Sequence, residues 1–278
     1  DIEKEIKVSG YISSYDLADI IKTKYPKVIE NNSAAGVWRT IAALEYYSDG
    51  KYCFDRSMIF PADCVITPYE ITEKLLKGKK RFRVEEAPEN MQNLLNSWDE
   101  YVLFASGMEI DKDVYASKEF ADFDVEKIDA AIEALCGKKV FPLPDIDVSS
   151  LPQSGFEWNE WLLRSYLFHY SKKYAVFFEH YPKPAVLTGI VTLADTGVNS
   201  FVEALALAFS EEEKDLKLNG KNLISPLEWA DYGNYIKKRG YVSFTAKGYA
   251  AKLRQLSRTH MQTRRIVNGK TKRSSYNG

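Results

Sequence analysis

The C-terminal stretch of the chain, residues 225–278, reads SPLEWADYGNYIKKRGYVSFTAKGYAAKLRQLSRTHMQTRRIVNGKTKRSSYNG. A helix is predicted at its start, because Pro226 suits the first helical position and Glu228 lies in the first turn, where a carboxylate is stabilised. Gly240 follows three cations and predicts the end of this helix, since glycine readily adopts the left-handed conformation of a C-cap. The residues that come next, 241–244, are β-prone.

A second helix and a hairpin complete this stretch. Thr245 predicts the N-cap of a helix over residues 246–258. The apolar residues of that helix form one stripe at helical spacing, Tyr249, Leu253 and Leu256. Asn268 and Gly269 separate two strand-like runs, and Asn-Gly is the strongest short hairpin signal because both residues tolerate positive φ. The predicted order is therefore helix, short strand, helix and hairpin.

Basic residues are concentrated in the same part of the chain. Residues 217–278 contain 14 Lys and Arg against two carboxylate side chains, Glu228 and Asp231, so their net charge is +12. The whole chain has a net charge of −1, so residues 1–216 carry −13. Such an asymmetry favours a polyanion-binding end on an acidic body. The alternative is a strip that docks on the protein's own acidic part or on an acidic partner protein.

The order helix, short strand, basic helix and basic hairpin resembles that of winged-helix domains. In that superfamily the second helix enters the major groove of DNA, and the hairpin, or wing, contacts the backbone or the minor groove. The resemblance implies a set of recognition residues on the second helix: Lys247, Lys252, Arg254, Gln255 and Arg258. It implies wing contacts from Arg264, Arg265, Lys270, Lys272 and Arg273. Long cationic side chains neutralise phosphates and release counterions, while Arg and Gln reach base edges.

The N-terminal residues 1–80 show a similar order of elements. Ser13 with Asp16 three residues later predicts the start of a first helix. A second helix is predicted over residues 33–47, and a turn signal at 48–51 then leads to a strand-like run. Because helix, turn, helix and hairpin is the order of a winged-helix module, we predict a second winged-helix-like unit at the N-terminus.

The middle of the chain is acidic and is predicted to be mostly helical. Helices are predicted over residues 89–106 and 125–136, the latter ending at Gly137. Residues 141–155 contain three prolines and three serines, a composition that predicts a linker. A single core helix of about 24 residues is predicted over residues 158–181.

These patterns together predict an α+β, mainly helical protein in five parts. They are a winged-helix-like unit at 1–80, an acidic helical region at 81–140, a linker at 141–155, a helical core at 156–216 and a basic winged-helix-like domain at 217–278.

The composition narrows the class of protein. With 278 residues, 45% of them hydrophobic, the chain has enough apolar surface for ordinary cores. Its apolar runs are too short to span a bilayer, so no membrane partner is expected, and no signal peptide is visible. Cys53, Cys64 and Cys136 form no CxxC motif, which predicts a reducing, cytoplasmic location.

The common catalytic and cofactor motifs bear on whether the chain is an enzyme. The chain contains no GxxxxGK[ST], GxGxxG, HExxH or GxSxG, so we expect no cofactor, no metal and no catalytic activity. One pattern offers an alternative. Arg164 and His169 fit the Arg-x4-His pattern and thereby resemble HEPN-type ribonucleases. The resemblance implies metal-independent RNA cleavage, with His as acid or base and Arg steadying the phosphate.

The favoured function from sequence is a cytoplasmic DNA-binding protein in replication, transcription control, or recognition by a mobile element or defence system. Its partner is predicted to be duplex DNA, bound by the basic C-terminal helix and hairpin. The acidic N-terminal part is predicted to contact a protein partner. The alternatives are the ribonuclease and a protein-interaction subunit that docks through its basic end.

Overall fold

The computed structural model describes residues 2–29, 33–64, 66–98, 100–178, 188–215 and 236–242. Over these ranges the chain is α+β and mainly helical, as predicted, with small antiparallel sheets. It divides into two compact units, Asp1–Ala121 and Asp122–Gly278. None of the helices in these ranges is long and apolar enough to cross a membrane.

The first unit is built from short helices and five strands, which form three antiparallel pairings. Its helices are α1 (Ile2–Ser9), α2 (Ser14–Lys24), α3 (Ala34–Tyr47), α4 (Pro68–Leu76), α5 (Glu89–Ser97) and α6 (Glu100–Ser106). Its strands are β1 (Ile12–Ser13), β2 (Tyr52–Asp55), β3 (Met58–Pro61), β4 (Met108–Asp111) and β5 (Val114–Ala116). The three pairs are β1 with β3, β2 with β3, and β4 with β5.

Strand β3 lies at the centre of the first unit. The sheet order is β1-β3-β2, so β3 has a partner on each edge. Its Ile59 packs into a core formed mainly by α1, α2 and α3. Met58 and Phe60, which point to the other side because strand residues alternate, pack into a second core with α4, α5 and α6. One buried strand therefore joins the two cores of this unit.

Local signals set the helix starts in this unit. The Ser13 hydroxyl accepts a hydrogen bond from the backbone N–H of Asp16 at the start of α2, which confirms the predicted cap. Ser33 caps α3 in the same way through the backbone N–H of Gly36. Thr67 and Glu70 form a complete capping box at the start of α4. Each cap satisfies backbone donors that the first helical turn leaves without partners.

The second unit is a three-layer arrangement around the sheet β6-β8-β7, which is antiparallel. Its elements are α7 (Val125–Cys136), β6 (Val140–Pro142), α8 (Glu160–His169), β7 (Tyr174–Phe177), β8 (Ile190–Leu193) and α9 (Phe201–Asp215). On one face Val191 packs with α7 and α8. On the other face Ile190 packs with α9 and with residues 236–242. As predicted, α7 ends at Gly137 in the left-handed conformation.

Residues 141–155 differ from the linker that their composition predicts. They contribute strand β6 and two single-turn 3-10 helices, Leu143–Asp145 and Val148–Ser150. Their apolar side chains are buried in the core with α7 and α8: Phe141, Leu143, Ile146 and Leu151. Pro144, Ser149 and Ser150 lie in the two 3-10 helices, while the buried apolar residues fix the segment to the core.

Residues 158–178, the described part of the helix predicted over 158–181, also differ from that prediction, and residues 179–181 lie outside the described ranges. Helix α8 ends at His169 and the chain continues as β7. The reason is Asp129 of α7, a buried carboxylate. Its Oδ1 accepts hydrogen bonds from the hydroxyls of Tyr166 (2.8 Å) and Ser171 (2.7 Å), and its Oδ2 accepts from the backbone N–H groups of Lys172 and Lys173 (both 3.0 Å). These bonds hold the backbone in a turn that a continued helix would not allow.

The three cysteines are expected to differ in reactivity. Cys53 and Cys64 are exposed, whereas Cys136 is partly buried with its Sγ 3.7 Å from the carbonyl oxygen of Asp145. Burial, with a smaller contribution from the Asp145 charge, raises the pKa of the Cys136 thiol to about 11. Since the thiolate is the reactive form, labelling of the native protein at pH 8 should show two fast thiols and one at least roughly tenfold slower. Cys136→Ser should remove only the slow phase; three equal rates would contradict the prediction.

Candidate nucleic-acid interface

The N-terminal part of the first unit is a three-helix module with a hairpin. Its elements follow the order α1-β1-α2-α3-β2-β3. The short strand β1 pairs with the far strand of the hairpin, with Ile12 opposite Ile59 and Ser13 opposite Met58. Strand β1 therefore joins the hairpin β2-β3 in a three-stranded sheet, and it connects the hairpin to α1 and α2, which flank β1 in the chain.

The tip of this hairpin is held in place by the rest of the unit. Arg56 and Ser57 at the tip both have positive φ, 48° and 65°, as tight hairpin turns require. The Arg56 carbonyl accepts a hydrogen bond from the indole N–H of Trp98 (3.0 Å). The Ser57 carbonyl accepts one from the backbone N–H of Ser14 (2.9 Å). The turn backbone is therefore anchored to the unit at both residues.

The exposed side of α3 carries three aromatic residues and no net charge, since Arg39 and Glu45 are both exposed. Trp38 is 44% exposed and stacks edge-on against Tyr15, while Tyr46 and Tyr47 at the helix end are 81% and 78% exposed. Residues 1–64 contain eight Lys and Arg against ten Asp and Glu. Phosphate binding depends on an excess of cations, so this module does not supply the electrostatic part of an interface with nucleic acid.

The ten predicted contact residues lie outside the residues that the structure describes. They are Lys247, Lys252, Arg254, Gln255, Arg258, Arg264, Arg265, Lys270, Lys272 and Arg273. The structure therefore neither brings these residues together nor separates them, and their roles stay predictions.

The described part of the basic C-terminal region, residues 236–242, is packed into the second unit. Ile236, Tyr241 and Val242 are buried between β6, β8 and α9. Gly240 has φ +86°, and a Cβ there would lie 2.8 Å from Cγ of Pro144, so glycine is required at this position. The segment therefore has a fixed place on the folded body.

One cation of this segment is already paired within the unit. The Arg239 guanidinium donates two hydrogen bonds to Asp145, 3.2 Å to Oδ1 and 2.7 Å to Oδ2. This bidentate geometry is the strong form of an arginine–carboxylate pair. Arg239 thus contributes to fixing the segment, and the cations that follow Val242 remain the candidates for phosphate contacts.

A second concentration of cations lies in the first unit and was missed by the sequence predictions. Six basic residues occur between Glu73 and Glu85 with no carboxylate among them: Lys74, Lys77, Lys79, Lys80, Arg81 and Arg83. We call this set the basic strip. The signal was present in the sequence, because runs of Lys and Arg of this length indicate polyanion-binding patches. The charge summed over residues 1–216 conceals it.

The basic strip borders a cleft of about 350 Å³. The cleft is lined by Glu70, Glu73, Lys74, Leu76, Lys77, Ser106, Ser117 and Lys118. The Lys118 ammonium is partly buried and donates a hydrogen bond to the Ala105 carbonyl oxygen (2.6 Å). Burial lowers the pKa of Lys118, and the nearby Glu73 charge opposes that shift. Lys74, Lys77 and Lys118 thus line a concave surface at one end of the strip, together with Glu70 and Glu73.

The geometry does not favour the ribonuclease alternative. Arg164 is only 3% exposed, and its guanidinium lies over the rings of Phe178 (4.8 Å) and Trp161 (5.5 Å). His169 ends α8 beside the rings of Phe168 and Tyr170. An arginine that steadies a reacting phosphate has to reach the substrate, and Arg164 lies in the protein interior.

Among the described residues, no group of His, Cys, Asp and Glu is placed to hold a metal ion.

No family model, curated protein or solved structure matches the chain. Its own geometry and charge are therefore the basis for assigning a function.

Proposed function

We propose that the chain is a DNA-binding protein whose basic C-terminal part neutralises backbone phosphates. The observation that carries this proposal is the segregation of charge. After Asp231 the chain has 12 Lys and Arg and no carboxylate side chain, while residues 1–216 carry −13. A cationic segment of this density gains affinity for duplex DNA because each neutralised phosphate releases condensed counterions.

The proposed contacts divide into affinity and sequence preference. In a winged-helix-like arrangement, the hairpin cations from Arg264 to Arg273 bind the backbone. The helix side chains from Lys247 to Arg258 approach the base edges, where Arg and Gln form bidentate pairs with guanine and adenine. The fixed position of residues 236–242 on the second unit supports this arrangement, because the cations follow directly from an anchored point.

The proposed role of the N-terminal module is contact with a protein partner. Its element order and its sheet order β1-β3-β2 support a winged-helix-like interpretation. Its α3 face carries exposed Trp38, Tyr46 and Tyr47, and aromatic residues are enriched in protein–protein interfaces. A cytoplasmic setting in replication, transcription control or mobile-element or defence recognition is part of the same proposal.

The test is salt-titrated binding to duplex DNA. For the wild type we expect a plot of log affinity against log salt concentration with a slope of several units. Arg264→Glu with Arg265→Glu should lower affinity by about tenfold or more and reduce the slope by about two. The matched control is Lys4→Glu with Lys7→Glu, two exposed lysines of α1 in the acidic part of the chain. This control has the same charge change and should bind like the wild type.

Two results of this titration would contradict the proposed DNA binding. Binding without salt dependence, or an affinity that is the same for R264E/R265E and for the wild type, would contradict phosphate binding by the C-terminal part. Docking of the basic end on an acidic protein would then be the better explanation.

A further inference from the structure

The basic strip lies on a rigid backbone. Leu76 and Phe82, at either side of its central loop, are both buried in the core with β3 and α5. Phe82 exchanges two backbone hydrogen bonds with Tyr115 of β5, of 2.8 and 2.9 Å. The Ser117 N–H donates to the Lys79 carbonyl oxygen (2.9 Å). Because the backbone is already ordered, a ligand that binds the strip has little main-chain entropy to remove.

The turn that leads from α4 into the strip is also fixed. Gly78 has φ +72°, a left-handed conformation that ends the helix. Its N–H donates a hydrogen bond to the Glu119 carboxylate. The Lys79 ammonium lies over the Phe82 ring at 4.5 Å from its centroid, a cation–π contact that orients this side chain. The strip is therefore part of the folded unit along its whole length.

Two exposed cations of the strip, Lys77 and Arg81, form no ion pair with any residue that the structure describes. Lys77 lines the cleft together with Glu70 and Glu73. The Glu70 carboxylate at the edge of the cleft accepts hydrogen bonds from the N–H (2.8 Å) and the hydroxyl (3.0 Å) of Thr67. Since Phe82 points into the core, its neighbours Arg81 and Arg83 lie on the opposite side of this extended segment.

The chemistry of the strip fits a phosphate backbone better than a protein surface. Its apolar members Leu76 and Phe82 are buried, so it offers no exposed apolar centre of the kind that protein interfaces contain. What it offers is six Lys and Arg side chains with no carboxylate among them, next to a cleft where Lys118 is accompanied by Glu70 and Glu73. Cations that project from an ordered backbone are suited to neutralising successive phosphates.

We propose that the basic strip is a second surface for the phosphate backbone of duplex DNA, separate from the C-terminal candidates. This inference rests on the proposed function and adds a second site to it. Contacts with phosphates carry no sequence information, so the strip contributes equally to all sequences. The salt dependence of binding counts the neutralised phosphates of both surfaces.

The experiment uses the full chain and random-sequence duplex DNA between 50 and 200 mM salt, with fluorescence anisotropy as the readout. Lys77→Glu with Arg81→Glu is expected to weaken binding by about tenfold or more and to reduce the salt slope by about two. Lys77→Gln with Arg81→Gln, which removes the charges without reversing them, is expected to have the smaller effect of the same kind. The control K4E/K7E has the same charge change in the same unit and should leave both quantities unchanged.

The outcomes separate this inference from the proposed function. If R264E/R265E weakens binding while K77E/R81E binds like the wild type, the strip is not a DNA surface and the C-terminal site stands. If K77E/R81E alone weakens binding, the strip is supported and the C-terminal assignment fails. If the wild type does not bind duplex DNA, both are overturned. A loss of affinity equal to that of K4E/K7E would indicate net charge alone and would also overturn the strip.

Discussion

Asp129→Ala is expected to destabilise the second unit by about 3–5 kcal/mol, the range for removing one partner of a buried charged network. The substitution leaves the Ser171 hydroxyl and the N–H groups of Lys172 and Lys173 without their acceptor. The Tyr166 hydroxyl loses its shorter hydrogen bond and keeps the Val125 carbonyl oxygen at 3.2 Å. It also removes the constraint that turns the chain between α8 and β7. Chemical denaturation followed by circular dichroism measures the loss as a lower free energy of unfolding.

Two controls isolate the buried network from ordinary surface effects. Tyr166→Phe removes one of the four donors and should cost about 1 kcal/mol. Glu133→Ala lies one turn further along the same helix and removes an exposed ion pair with Lys173, which should cost about 1 kcal/mol or less. If Asp129→Ala were no more destabilising than Glu133→Ala, Asp129 would not be the residue that fixes this turn.

The contrast between α2 and α8 shows which elements the sequence could predict. The start of α2 depends on Ser13 and Asp16, three residues apart, and the end of α7 depends on Gly137 alone. Both were predicted and both are confirmed. The end of α8 depends on Asp129, about 40 residues earlier in the chain. Apolar periodicity cannot show that a distant carboxylate will capture the backbone.

The segment 141–155 shows a related limit. Proline and serine content predicted a linker, and Pro144, Ser149 and Ser150 do lie in single-turn 3-10 helices. The apolar residues between them, Phe141, Leu143 and Ile146, are buried, because this segment supplies an edge strand to the sheet and then crosses one face of the core. The proline and serine content indicates the turns. The segment is an ordered part of the fold because it pairs with strand β8, which lies about 50 residues further along the chain.

The net charge of stretches of the sequence predicted one part of the candidate interface and not the other. Net charge over long ranges indicated the C-terminal region, where no carboxylate side chain follows Asp231. The same summation concealed the basic strip, since the six cations from Lys74 to Arg83 lie inside a region with a charge of −13. The net charge summed over ten residues, from Lys74 to Arg83, indicates the strip. Its rigidity could not be predicted, because it depends on the pairing of Phe82 with Tyr115.

Burial separates the apolar residues of α3 into two groups. Val37 and Ile41 are buried, and Leu44 packs partly buried against the same core. Trp38 and Tyr46 are exposed, and helical spacing alone does not distinguish them from the buried residues. Exposure of a large apolar residue depends on which neighbouring elements reach that face, and this is a property of the assembled unit.

The anchor of the basic C-terminal region depends on apolar packing more than on charge. Tyr241 is only 1% exposed and belongs to the core with Val140, Ile190 and Leu205. The Arg239–Asp145 pair beside it is about one-third exposed on both sides. Solvent weakens such an ion pair, while a fully buried aromatic ring contributes through its whole surface.

Tyr241→Ala should therefore lower the free energy of unfolding by about 3–5 kcal/mol, as truncation of a buried aromatic residue does. Arg239→Ala, which breaks the neighbouring ion pair, should lower it by about 1 kcal/mol or less. Tyr241→Phe keeps the ring in the core and should also cost about 1 kcal/mol. Limited proteolysis gives a second readout, because release of residues 236–242 from the sheet exposes the chain there to cleavage in Tyr241→Ala and not in Tyr241→Phe. If Arg239→Ala had the same effect as Tyr241→Ala in both measurements, the Arg239–Asp145 ion pair would hold residues 236–242 in place as much as the packing of Tyr241 does, which would contradict the prediction.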